Sequence, residues 1–370
     1  MDKEIYEVFF QLVRLGIVTS KSTKIFATVD WSAVKSIADG QGLTAVVLDG
    51  IDVLSTRRSD FTNMSQMMRL EWIGEVLQNY EMRYKSYEKA IGSLAGWYNL
   101  HGFKMMVLKG YSSSLNWPNP SHRPCGDIDI WLFGKQKEAD EALQKSSRIG
   151  ELENKITINA SHHHHTVFGW EGFSVENYFD FVNVHAERSS KAIETVFKEL
   201  GKDDSTFIEI RGENVYLPSP NLHALFLIRH LVSHFASSEI TLRQVLDWAF
   251  FVEKNTDGID WGWLDGMVKK FNMKDFINCI NAICVEELGF PSSIFAFGVQ
   301  FDPDIKARIL QDILEPKFTH IEPKSLGKRL VYKYRRWQGN AWKQRLCYSE
   351  SRWEIFITGI WAKILKPAGL

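Results

Sequence analysis

The sequence predicts an α+β fold, a mixed-sheet core flanked by helical segments before and after it, and three observations carry that expectation. Apolar residues recur at helical spacing through the first hundred residues and again from residue 221 onward. Between these stretches lie short apolar or alternating runs bounded by Gly and Pro, as strands are. One of those runs opens with two aspartates one residue apart, Asp127 and Asp129.

Ile5, Val8, Phe9, Leu12 and Val13 recur at helical spacing, as do Met68, Leu70, Ile73, Val76 and Leu77. Residues 65–100 contain no proline, which predicts one long helix or two abutting ones. Residues 103–108 read as the first strand, broken by Gly110. Residues 111–117 can form a short helix before Pro118 and Pro120 stop it. Residues 127–133 are the second strand, and 135–147 a charged amphipathic helix. Residues 156–158, 166–168 and 173–184 read as further strands. After Arg188 the pattern returns to helix, best at 221–235 behind Pro218-Ser219-Pro220 and at 241–252. Helices should continue to the end, interrupted at Gly289-Phe290-Pro291. The chain therefore divides into an N-terminal helical region (1–100), a sheet core (101–200), a helical region completing a cleft (201–315) and a basic, aromatic helical tail (316–370).

The chain has 370 residues, 45% hydrophobic and 24% charged, the composition of an ordinary globular protein with a large core. Its net charge of −1 hides an asymmetry. From Pro316 onward 12 Lys plus Arg face 3 Asp plus Glu, a balance of +9, and the rest carries 32 against 42, a balance of −10. Cys125, Cys279, Cys284 and Cys347 follow neither a disulfide framework nor a zinc-ribbon spacing, so reduced thiols are expected. The start, Met1-Asp2-Lys3-Glu4, lacks a signal-peptide pattern, and no apolar run approaches the roughly 20 residues that span a bilayer. A cytoplasmic protein without a transmembrane segment is the expectation.

In a strand, residues i and i+2 share a face, so Asp127 and Asp129 project together while Ile128 and Ile130 enter the core. Adjacent carboxylates repel unless a cation lies between them. Hard oxygen ligands suit Mg²⁺ (or Mn²⁺), which takes one or two carboxylates together with substrate phosphates. This is a setting for metal-assisted phosphoryl or nucleotidyl transfer. The plain alternative is a pair of surface aspartates on an edge strand.

A strand ending in Gly, a short helical turn and Asp-x-Asp on the next strand resemble the DNA polymerase beta-like nucleotidyltransferases. The wording Leu108-Lys109-Gly110, then Arg123-Pro124-Cys125-Gly126-Asp127-Ile128-Asp129-Ile130, is similar to a bacterial branch of uncharacterised nucleotidyltransferases. The motif covers residues 107–132, and fainter likeness runs through Val175-Glu176-Asn177 and residues 242–248. The resemblance implies a nucleotidyltransferase core at 101–200 and a third carboxylate on a later strand. Glu176 fits that place, with Asp180, on the same strand face, as its rival. It also implies that the backbone at Gly110 approaches a phosphate. The family's commoner wording has Ser directly after this Gly; here Tyr111 intervenes and Ser112 follows. Lys109 and Arg123 are candidate phosphate contacts or solvated charges.

His162–His165 is a polar run leading into a strand, in which His163 or His165 can line the cleft. His223, His230 and His234 fall near one helix face as cleft-lining or core histidines, without the Glu of a zinc-protease motif. Arg243 and Asp247 are an intrahelical pair by spacing; the resemblance makes them part of the nucleotide or acceptor wall. The aromatic and basic tail reads first as a helical layer docked on the acidic remainder, with RNA or an anionic membrane surface as the alternatives. The function so derived is Mg²⁺-dependent transfer of a nucleoside monophosphate from an NTP, ATP among them, to an unidentified hydroxyl or phosphate acceptor, by Asp127, Asp129 and Glu176. Its rivals are a catalytically silent nucleotide-binding sensor or scaffold, and an RNA-binding protein using the tail.

Overall fold

The computed structural model describes residues 3–19, 29–57, 63–152, 155–185, 187–296, 300–319, 321, 323–350 and 354. The chain opens with helices α1 (Lys3–Gly16), α2 (Trp31–Gln41), α3 (Thr44–Arg57), α4 (Gln66–Val76) and α5 (Arg83–Leu100). The α+β core follows as β1 (Met106–Val107), α6 (Tyr111–Ser114), β2 (Ile128–Trp131), α7 (Gln136–Arg148), β3 (His165–Trp170), β4 (Phe173–Tyr178), α8 (Ser190–Leu200), β5 (Phe207–Ile210) and β6 (Glu213–Tyr216). The remainder is helical: α9 (Pro220–Ser237), α10 (Leu242–Asn255), α11 (Trp261–Lys270), α12 (Lys274–Glu286), α13 (Pro303–Leu314), α14 (Leu326–Gly339) and α15 (Ala341–Cys347).

Local chemistry sets several helix starts. Asp30, Ser65 and Asp260 each accept a backbone N–H of their own first turn, and Thr241 with Gln244 forms a capping box on α10. α4 and α5 are continuous through a π-helical turn at Leu77–Met82, so the proline-free stretch is one interrupted rod. α1 and α3 cross at two glycines. A Cβ at Gly16 would lie 2.1 Å from the Val46 carbonyl oxygen, and one at Gly50 would lie 2.0 Å from that of Leu12.

The six-stranded sheet runs β3-β4-β2-β1-β6-β5. β2 pairs parallel with β4 and β1 parallel with β6, while the other neighbours are antiparallel. The alternation expected of β2 is present. Ile128 and Ile130 are fully buried with Val107, Val175 and Val215 in the core beneath α5, where each buried side chain contributes about 1.5–3 kcal/mol. Met106, Trp131 and Tyr178 join the other core, shared with α9 and α10. Asp129 lies on that second face, so the carboxylates look toward the helices that follow the sheet.

Several expected strands are shorter or absent. The first is confined to Met106–Val107, the second to Ile128–Trp131, and the short helix stops at Ser114. Residues 156–158 form no strand; next to them, Asn159 makes a single bridge to Val167. The strand expected over 173–184 ends at Tyr178 because other partners take the backbone beyond it. Phe179 and Asp180 N–H donate to His164 O, and the Glu194 carboxylate accepts from Phe181 and Val182 N–H. The helical reading after Arg188 missed the β5–β6 hairpin. Its two-residue turn places Arg211 at φ 56° and Gly212 at φ 83°, so Arg-Gly between two alternating runs was its sequence signal.

In the tail, Lys343 is buried and donates to Ser238 O at 2.7 Å, and its ammonium lies 2.5 Å from Asp312. Cys347 is buried beneath α9. Trp353, Ile355, Phe356, Ile360, Trp361 and Leu365 lie outside the described residues. No helix among the described residues is long and apolar enough to cross a membrane.

Candidate active site

The site begins where β1 ends. Gly110 adopts φ 71°, and a Cβ there would fall 2.7 Å from the Tyr87 hydroxyl. That hydroxyl donates to Asp127 O at 2.7 Å, so glycine at this corner lets α5 hold the backbone of the Asp-x-Asp segment. Parallel pairing of β2 with β4 then sets Asp129 directly opposite Glu176. The Tyr178 hydroxyl lies 3.2 Å from Asp129 Oδ1 and 3.1 Å from Glu176 Oε2, with one proton to give to the pair. Lys109 Nζ lies 3.0 Å from Asp129 Oδ1 and 3.3 Å from the same tyrosine hydroxyl.

Asp127, Asp129, Glu176 and Lys109 all line one cleft of about 610 Å³ between the sheet and the α9–α10 wall. Burial raises the Asp129 carboxyl above the usual Asp range; Lys109 opposes that rise and Glu176 reinforces it. Asp180 takes another course. It pairs with Lys198 beyond the end of β4, whereas Glu176 faces the cleft.

The other expected contacts divide. Ser112 is buried and donates to Leu108 O at 2.8 Å, turned into the protein. Ser113, which the sequence reading passed over, lines the cleft instead, and its buried hydroxyl has no hydrogen-bond partner. Arg123 lines the cleft, but its Nε and Nη2 are engaged by Asp247 at 2.7 and 2.9 Å. Trp117 Nε1 donates to the same carboxylate at 2.9 Å. Asp247 is therefore the partner of Arg123 and not an intrahelical partner of Arg243.

The histidines supply a neutral wall. His164, His165, His230 and His234 line the cleft, while His223 packs on the Phe251 ring at 4.6 Å. Burial is the first cause in each, taking His164 down to about 3 and His165 and His234 down to about 4. His165 Nε2 is 3.7 Å from Glu176 Oε1, and neither of its ring nitrogens has a hydrogen-bond partner. Tyr87 and Tyr178 went unnoticed in the sequence. Tyr178 had a signal, since two residues from Glu176 on a strand means the same face.

Among the described residues, no three His, Cys, Asp or Glu side chains are grouped closely enough to hold a metal ion alone. The donor set is one of carboxylate oxygens beside an open cleft. It fits a hard cation that completes its shell with waters and substrate phosphates, and not a closed structural metal.

Comparison with known proteins agrees with the motif. A family described as "Uncharacterised nucleotidyltransferase" matches residues 27–289. The chain belongs to this family. The matched span takes in α2 through α12 and contains every cleft residue named above. No curated protein and no solved structure matches the chain. Family membership supports nucleotidyl transfer as the general activity.

Proposed function

We propose that this nucleotidyltransferase moves a nucleoside monophosphate from an NTP to a hydroxyl or phosphate oxygen of an acceptor, using Mg²⁺ or Mn²⁺. The observation that supports this reading is the pairing of Asp129 with Glu176 across parallel strands, with Asp127 and Lys109 opening on the same cleft. In the reaction the acceptor oxygen bonds to the α-phosphorus, and the bond from that phosphorus to the bridging β-phosphate oxygen breaks, releasing pyrophosphate. Asp127 and Asp129 would supply carboxylate oxygens to the divalent ion, with waters and substrate phosphates filling its shell and Glu176 either joining them or acting as base; when bound, the ion supplies charge neutralisation on the phosphates.

The chain's own groups do the rest. Where it is not a ligand of the ion, Glu176 is the base that accepts the proton of an acceptor hydroxyl, beside Asp129 on the neighbouring parallel strand. Tyr178 shares its proton between the two carboxylates and limits their repulsion. Lys109 balances Asp129 at 3.0 Å and stands within the cleft as a point charge for phosphate. Gly110, at φ 71°, lets the backbone turn against Tyr87 where a Cβ would clash, and so lets this corner line the cleft as a backbone cradle for a phosphate. The test is incubation with each α-phosphate-labelled NTP, Mg²⁺ and a cell extract. A labelled acceptor that disappears with Asp127→Asn/Asp129→Asn supports the reading. Tight NTP binding with no labelled product from any nucleotide sinks it in favour of a silent binder.

A further inference from the structure

Three of the four Lys and Arg side chains that line the cleft have counter-ions. Lys109 is 3.0 Å from Asp129, Arg123 is gripped by Asp247, and Arg229 lies 2.8 Å from Glu187. Arg243 lines the same cleft and makes no hydrogen bond or ion pair with any described residue. Asp247 attracts it, yet that carboxylate already accepts from Arg123 twice and from Trp117.

The rest of its surroundings are neutral or repulsive. Desolvation, and after it repulsion by Arg123, lower its affinity for its own proton, and Asp247 offsets this only in part. His230 and His234 are held neutral by burial and, in part, by Arg243 itself. Tyr80 is the other titratable group that acts on it, with a hydroxyl made less acidic by burial. The side chain also springs from the first turn of α10, where the helix dipole favours an anion and disfavours a cation. Its Cδ lies against Gly42, 3.4 Å from where a Cβ would stand, and this contact directs the stem. A half-buried guanidinium with no carboxylate of its own is left poorly compensated in the empty protein. A second unsatisfied donor shares the cleft: Ser113 is completely buried, and its Oγ has no partner.

We infer that Arg243 forms an anion subsite for a phosphate group, separate from the carboxylates of the metal-type site. The guanidinium fork suits two phosphate oxygens. The inference rests on the nucleotidyl-transfer reading for its choice of phosphate. The same chemistry has two sources: the terminal phosphates of the NTP, or a phosphate carried by the acceptor.

The experiment is calorimetric titration of the full chain in EDTA with inorganic tripolyphosphate and, separately, with phenyl phosphate. EDTA removes any contribution of divalent ions at the carboxylates. At least one probe should bind the wild type. Arg243→Gln should weaken that binding at least tenfold, and Arg243→Lys, which keeps the charge and loses the fork, should bind better than Arg243→Gln and less well than the wild type. The melting temperature of unliganded Arg243→Gln should not fall below that of the wild type, because an uncompensated cation has been removed. A merely structural arginine would give the opposite pattern, a lower melting temperature and unchanged probe binding. Tripolyphosphate displaced by NTP assigns the subsite to the donor. Phenyl phosphate binding alongside saturating NTP assigns it to the acceptor. Failure of both probes to bind, or equal binding by Arg243→Gln, overturns the inference. NTP turnover that persists in that case leaves the transferase reading standing, whereas Arg243-dependent probe binding without turnover of any NTP removes that reading and keeps the subsite.

Discussion

Replacing Asp247 by Asn should destabilise this protein by about 4 kcal/mol, because it breaks a buried ion pair on one side. Arg123 and Asp247 are 7% and 5% exposed, and they join through two hydrogen bonds of 2.7 and 2.9 Å. A solvent-exposed pair would contribute about 0–1 kcal/mol. Removing one partner of a buried pair costs about 3–5 kcal/mol, because the other charge stays buried and uncompensated. The asparagine also weakens the bond from Trp117 Nε1. Unfolding entropy of about 2.1 cal/mol/K per residue over 370 residues gives about 0.8 kcal/mol per degree, so the melting temperature should fall by about 5 °C. The double variant Arg123→Met/Asp247→Leu should recover most of that loss, since a buried pair replaced by apolar side chains is close to neutral. Scanning calorimetry of the single and double variants at pH 7.5 reads both numbers. An Asp247→Asn midpoint within 1 °C of the wild type, or a double variant worse than the single, would refute the reasoning.

Three further outcomes follow from the cleft and its supports. Asp127→Asn/Asp129→Asn should abolish divalent-dependent NTP binding in calorimetry and leave the far-ultraviolet circular dichroism unchanged, because burial and Glu176 already disfavour the Asp129 charge. Tyr178→Phe removes the proton shared by Asp129 and Glu176; a bond to a charged group is worth about 1.5–3 kcal/mol, so kcat/KM should fall about 10- to 100-fold, and an unchanged value would count against the carboxylate pair as the centre. Burial pushes the Glu194 carboxyl up to about 7 from an ordinary 4.5. The folded state thus holds this proton more tightly than the unfolded chain does, and its contribution, greatest below pH 4.5, is lost as pH rises to about 7. At 1.36 kcal/mol per pH unit that is about 3 kcal/mol, so urea denaturation of Glu194→Gln should show a flatter pH dependence between 4.5 and 7 than the wild type, and parallel curves would dismiss the idea.

The sequence by itself determined what depends on local periodicity. Alternation along a strand sends Ile128 and Ile130 into one core and leaves Asp127 and Asp129 to the opposite face, whatever the strand pairs with. Helical spacing located most of the helices on either side of the sheet, and Gly110 marked the corner where a side chain cannot fit. The β5–β6 hairpin was also legible, in Arg211-Gly212, although the helical pattern around it won the reading. Only the tertiary structure decided which distant groups meet. Glu176 faces Asp129 because β2 and β4 pair in parallel in one register, and a slip of one residue would have turned it into the core. The end of β4 at Tyr178 was set by Glu194, from a helix that follows, and it left Asp180 to Lys198. Ser113 rather than Ser112 reaches the cleft because α6 turns on Gly110. Arg123 is taken by Asp247, 124 residues away, and Arg243 is left without that partner. Short-range sterics repeat in every strand and helix and can be read from the chain, whereas pairing and register arise from long-range packing that no local pattern encodes.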